Sequence, residues 1–131
     1  MIVLDTHALI WWVNDSGELS EKAQQSIKKA QVNNAIYISA ISIWEISMLV
    51  KKGRLKLTMD VETWIDKVLS LPMLNCVDII PKIAYKSVYL ANFNHPDPAD
   101  RMIIATALHK GMKLVTKDEK IQSYSNLETI W

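Results

Sequence analysis

Short unbroken apolar runs alternate along this chain with longer stretches whose apolar residues recur at helical spacing. Ile2-Val3-Leu4 reads as a buried strand, and residues 6–13 as a helix or helical turn. Asn14-Asp15-Ser16-Gly17 is a loop by composition. Residues 20–31 have helix-forming composition with Ser20 as N-cap. Ile36-Tyr37-Ile38 is a second strand. Ser42 through Lys52 predicts a helix, stopped by Gly53 after two lysines that suit a helix C-terminus. Residues 60–70 predict an amphipathic helix, with Val61, Trp64, Ile65, Val68 and Leu69 on one side. Val77 to Ile80 is a third strand, and Pro81 opens a helix running to about Asn92. Phe93 to Asp97 is a loop. Pro98 to Lys110 is the next helix, closed by Gly111. Lys113 to Thr116 is a fourth strand, Glu119 to Tyr124 a short helix, and Leu127 to Ile130 a last strand.

Strands alternating with helices predict an α/β layer fold with a mostly parallel sheet. The strands are short and continuously apolar, as strands covered on both faces must be. In such sheets a ligand crevice lies beyond the carboxyl ends of the strands. At 131 residues the chain is expected to form one domain, residues 1–131. No low-complexity segment, repeat or linker interrupts it.

Composition narrows the functional classes. Lys plus Arg is 15 and Asp plus Glu is 14, so bulk charge neither announces nor excludes a nucleic-acid partner. One cysteine, Cys76, forbids an internal disulfide and a cysteine-rich zinc site, and suits a reducing compartment. No apolar run approaches the ~18 residues that span a bilayer. The N-terminus has no basic region before its apolar residues, so a signal peptide is not expected. The expectation is a soluble, cytoplasmic protein without a membrane partner.

The acids carry the chemistry. Asp5 directly follows the first strand, and Asp118 follows the fourth with one residue between. Both stand where ligands bind in parallel sheets, although either would equally serve as a helix N-cap. Glu45 lies in a helix that is apolar nearly all round, with Met48 and Leu49 on its own face. A carboxylate there is expected to lose water, which is rare unless it is paired or binds metal. The alternative is a capping box, Ser42-x-x-Glu45, and the two roles are compatible. In His95-Pro96-Asp97-Pro98-Ala99-Asp100-Arg101, Asp97 is a natural N-cap with Pro98 at the first helical position. A helix starting there over the sheet edge would aim Asp100 at the crevice of Asp5.

If Asp5, Glu45, Asp100 and Asp118 converge, each pair ~5 Å apart repels by roughly 3 kcal/mol at an effective dielectric of ~20. Without a cation such a cluster would hold protons at neutral pH. Mg²⁺ or Mn²⁺ is the natural occupant of a carboxylate-and-water site, and it activates water for attack on a phosphodiester. The residues therefore point to metal-assisted phosphoryl hydrolysis.

Four segments resemble a known family. They are Val3-Leu4-Asp5-Thr6-His7-Ala8-Leu9-Ile10-Trp11-Trp12, Ser39-Ala40-Ile41-Ser42-Ile43-Trp44-Glu45-Ile46, Asp97-Pro98-Ala99-Asp100-Arg101-Met102-Ile103-Ile104-Ala105-Thr106-Ala107, and Leu114-Val115-Thr116-Lys117-Asp118. In order and spacing, over essentially the whole chain, the sequence resembles the PIN-domain ribonucleases that act as toxins of VapBC-type toxin–antitoxin pairs. The resemblance implies a PIN-like sheet of about five strands with helices on both faces. It implies Mg²⁺- or Mn²⁺-dependent endonucleolytic cleavage of RNA by a metal-activated water. It also implies a homodimer, and a cognate antitoxin whose C-terminal segment occupies the active-site groove. The family's acids fall on Asp5, Glu45, Asp100 and Asp118 as catalytic and metal-binding residues. Asp5, Glu45 and Asp100 would hold one ion, and Asp118 would help with it or with a second. Thr6 and Thr116 are placed to orient a carboxylate or a metal-bound water.

Other side chains are open to blander readings. Lys51, Lys52, Arg54 and Lys56, and Lys110, Lys113, Lys117 and Lys120, are either RNA contacts or solvated surface charge. Arg101 is expected to pair with an acid or contact phosphate. His7, His95 and His109 form no helical pair, which argues against a histidine metal site. Trp11, Trp12, Trp44 and Trp64 could stack bases, but their apolar neighbours favour core or dimer contacts. No P-loop, dinucleotide or hydrolase-elbow motif is present. His7, where an aspartyl-phosphate phosphatase needs an acid, argues against that class. A PIN-like RNA- or protein-binding module without activity is the remaining alternative.

Overall fold

The computed structural model describes residues 1–131. Strands β1 (Ile2–Leu4), β2 (Ile36–Ser39), β3 (Leu74–Val77), β4 (Lys113–Val115) and β5 (Thr129–Ile130) form one sheet in the order β3-β2-β1-β4-β5, every pair parallel. Seven helices connect them: α1 (Thr6–Asn14), α2 (Glu21–Val32), α3 (Ala40–Lys51), α4 (Val61–Leu69), α5 (Pro81–Val88), α6 (Pro98–Lys110) and α7 (Glu119–Gln122). The strand order reverses direction between β1 and β4, which makes the carboxyl ends of those two strands the topological switch point.

Side-chain alternation splits the core into two layers. Ile2 and Leu4 of β1 and Val115 of β4 enter the larger one, with Leu9 of α1, Ile27 of α2, Ile46 of α3, and Trp64 and Val68 of α4. Val3 and Leu114 point the other way, into a cluster with Phe93, Ile103 and Ile104 of α6, and Ile121 of α7. Helix α5 packs on α6 outside this second layer. The register that pairs Val3 with Leu114, and Leu4 with Val115, keeps both layers continuous across the central strands.

Most predicted elements are present, and the differences have identifiable causes. The third strand is Leu74–Val77 and not Val77–Ile80. It is the sheet edge, so polar residues are tolerated, and Asn75 pins its register by donating to the carbonyls of Asn34 and Ile36. The apolar Ile79-Ile80 instead leads into Pro81, which restricts Ile80 to extended backbone as the N-cap of α5. Helix α3 starts at Ala40 because the Ser39 hydroxyl accepts from the Ile41 N–H. The expected Ser42-x-x-Glu45 capping box therefore does not form: Ser42 lies inside the helix, and its hydroxyl is 2.9 Å from that of Thr6. Helix α5 ends at Val88, well short of Asn92, which takes a left-handed φ of 57°. Helix α6 closes as predicted at Gly111, whose φ of 65° suits glycine.

Leu114 is fully buried in the interior strand β4. Leu114→Ala is expected to cost about 2–5 kcal/mol of unfolding free energy, read from the denaturant midpoint at unchanged slope.

Candidate active site

Beyond the carboxyl ends of β1 and β4 lies an open cleft of about 570 Å³, lined by Asp5, His7, Trp11, Glu45, Asp97, Asp100, Lys117, Asp118 and Glu119. Six of these nine residues are carboxylates and one is a lysine. All four acids singled out in the sequence are brought together, from β1, α3, α6 and the turn after β4.

Asp5 is the N-cap of α1 and is buried. One carboxylate oxygen accepts from the Thr6 N–H at 2.7 Å, and the other from the Thr116 hydroxyl at 2.7 Å. Burial nevertheless raises its pKa above the ordinary aspartate value, against those two hydrogen bonds. The Thr116 hydroxyl in turn accepts from the Asp118 N–H at 3.1 Å. Asp118 caps α7, taking the N–H groups of Lys120 and Ile121. The Thr6 main-chain N–H and the Thr116 hydroxyl thus hold the Asp5 carboxylate, while the Thr6 hydroxyl lies against that of Ser42.

Glu45 is half-buried on α3, and desolvation raises its pKa, with the charges of Asp5 and Asp97 adding to the effect. Asp97 caps α6 by accepting from the Asp100 N–H at 3.1 Å. Asp100 is pushed up to about 6 by desolvation, and the carboxylates of Asp5, Asp97 and Glu45 push the same way. One of its oxygens meets His95 Nε2 at 2.7 Å, with both side chains largely enclosed. The other ring nitrogen of His95 is buried without a partner.

The oxygens and nitrogens fall into two overlapping donor groups. Atoms of Glu45, Asp97 and Asp100 lie within 4.8 Å of one another, and so do atoms of His95, Asp100 and Asp118. Asp100 belongs to both. Neither group includes Asp5, whose two oxygens each accept one hydrogen bond and keep a further lone pair. Asp97, read from sequence only as a cap, has both positions. His95 carried no sequence signal, since loop geometry alone brings it to Asp100. His7 and Trp11 stand at i and i+4 on α1, a spacing that puts them on one face. Trp11 packs against the larger core as expected, but it also lines the cleft.

Arg101 does not pair with an acid or face the cleft's carboxylates. It donates to four main-chain carbonyls: Ser87, Val88, Phe93 and His95, at 2.7–3.0 Å. The first two are the open C-terminal end of α5, where a cation complements the helix dipole. Of the tryptophans, Trp64 is buried while Trp44 is 55% exposed.

The PIN-domain profile matches residues 2–127 of the chain. The chain belongs to the PIN-domain family. This PIN domain is 33% identical over 132 residues to Ribonuclease VapC22 of Mycobacterium tuberculosis (strain ATCC 25618 / H37Rv), a match covering 99% of this chain and 98% of that protein. Its fold is shared with VapBC2 from Rickettsia felis bound to a promoter DNA fragment, at a TM-score of 0.73 and 23% identity over 98% of this chain and 97% of that one. A toxin–antitoxin complex from Klebsiella pneumoniae matches with a TM-score of 0.65 and 22% identity, over 97% and 95% of the two chains. No helix of this PIN domain is long and apolar enough to cross a membrane.

Arg101→Lys keeps the charge but loses the planar fork, and is expected to cost about 2–3 kcal/mol of stability, measured by chemical denaturation. The raised carboxyls set a pH dependence. Between about pH 4 and pH 6 the folded protein holds protons that the unfolded chain releases, so stability falls as pH rises through that window. In chelator, the melting temperature is expected to drop from about pH 4.5 to about pH 7, and Asp100→Asn is expected to flatten the drop.

Proposed function

We propose that this PIN domain is a metal-dependent endoribonuclease, the toxin of a type II toxin–antitoxin pair acting in the cytoplasm. The observation that carries the reading is the convergence of Asp5, Glu45, Asp97, Asp100 and Asp118 in one cleft at the switch point, three of them with raised pKa. Identity over nearly full length with a ribonuclease supports the substrate class.

The donor set fits a hard divalent ion. Carboxylate oxygens dominate it, and the open cleft leaves room for the waters that Mg²⁺ retains. Glu45, Asp97 and Asp100 would hold one Mg²⁺ or Mn²⁺, and Asp100 and Asp118, with His95 beside them, a second. When bound, the ions supply an activated water and neutralise the charge developing on the scissile phosphate. Asp5 holds Thr116, and through it Asp118, in register with the cleft. The N-termini of α1, α6 and α7 lie beside the carboxylates that cap them and favour their ionised forms.

The antitoxin would lay its C-terminal segment in the same cleft. A second copy of the chain would cover α5, where Tyr85, Val88 and Tyr89 are each exposed on adjoining turns.

Purified protein is expected to cut RNA with Mg²⁺ or Mn²⁺ and to stop in EDTA. Asp5→Asn is expected to lose at least about a hundredfold in rate while its circular dichroism spectrum is unchanged. Expression of the chain alone should arrest growth, and co-expression of the small protein encoded beside it should relieve the arrest. Full cleavage by Asp5→Asn, or cleavage indifferent to EDTA, would overturn the assignment.

A further inference from the structure

The cleft poses a problem for its own substrate. It holds six carboxylates against one cation, so a polyanionic backbone entering it is repelled wherever ions do not intervene. Attraction that does not depend on charge must come from elsewhere in the wall. Trp11 is the single apolar residue lining the cleft.

Trp11 is held in place from several sides. Trp131 packs against it, with ring centroids 5.9 Å apart at 54°. The exposed His7, one turn earlier on α1, lies 5.7 Å from it at 49°. The Lys117 ammonium stands 5.6 Å from the indole centroid. That lysine is flanked in the chain by Asp118 and shares the cleft with six acids, yet it makes no ion pair. Its charge rests on an aromatic face, and a base taking that face would shift the ammonium onto the adjoining phosphate.

We propose that Trp11, backed by Trp131 and flanked by His7 and Lys117, is the seat on which an unstacked RNA base rests beside the scissile phosphate. This rests on the ribonuclease reading above and adds how the strand is held. Every base has a π-face, so stacking holds RNA without reading its sequence and without opposing the acids. Lys117 takes the phosphate next to the seated base. Duplex RNA keeps its base faces stacked inside the helix, so the seat selects single strands and loops.

The test uses the Asp5→Asn protein, which keeps RNA uncut, with Mg²⁺ present. Three probes are titrated by fluorescence anisotropy: a short mixed-sequence single-stranded oligoribonucleotide, an abasic oligomer of equal length, and the duplex. Trp11→Leu added to this background is expected to weaken single-strand binding by about tenfold or more, and Trp11→Phe to restore most of it. Binding of the abasic oligomer should be weak and indifferent to both substitutions. Unchanged single-strand affinity in Trp11→Leu, or an equal loss for the abasic oligomer, would overturn the proposal. Should Trp11→Leu fail to fold, the single strand must quench indole emission of the Asp5→Asn protein, with the quenched component missing from Trp11→Phe; no such component also overturns it. Cleavage by the wild-type chain is read separately. Trp11-dependent binding without cleavage would sink the ribonuclease reading and keep the seat. Cleavage with the same KM in Trp11→Leu would do the reverse.

Discussion

Asp5 is the point on which the architecture turns. It ends the central strand, it begins the first helix, and each of its oxygens accepts a hydrogen bond, one from its own helix and one from the far side of the switch point. The second bond, to Thr116, spans 111 positions of sequence and ties β1 to β4 where the sheet's connections diverge. A buried carboxylate held by two donors is costly to leave unpaired. The fold therefore commits the two central strands to one register at the place where the cleft opens.

Glu45 apart, the acids follow one rule: each is set where a local element already favours a carboxylate. Asp5, Asp97 and Asp118 cap α1, α6 and α7. Helix capping and participation in the cleft were competing readings in the sequence. In the structure they coincide, since a parallel α/β sheet puts helix N-termini at the carboxyl edge of its strands. Hydrogen bonds to main-chain N–H groups do part of the work of holding like charges together. Burial raises the carboxyls of Asp5, Glu45 and Asp100 all the same, and neighbouring acids push the same way.

The sheet and the principal acids were legible because each rests on a local pattern. Ile2-Val3-Leu4 is apolar on both faces, and Glu45 is an acid in an apolar helix. What was illegible depends on geometry between distant segments. The edge strand Leu74–Val77 carries Asn75 and an exposed Cys76, so its pattern is no cleaner than that of the Ile79-Ile80 pair beside it. Ser39 and Ser42 are equivalent caps by composition, and only the packing of α3 against Thr6 separates them. Arg101, next to an acid in sequence, spends its guanidinium on carbonyls from α5 and the following loop, which no spacing rule reveals. His95 reaches Asp100 for the same reason, through the path of that loop.

The Arg101 clamp has a consequence for how the cleft meets its ligands. By gathering the carbonyls of Phe93 and His95, it fixes the loop that presents His95 and Asp97 before anything binds. A tethered loop has already surrendered its conformational entropy during folding. Occupancy of the cleft then requires no further ordering of that segment, and the placement of the acids is set in advance by a residue that need never touch what enters.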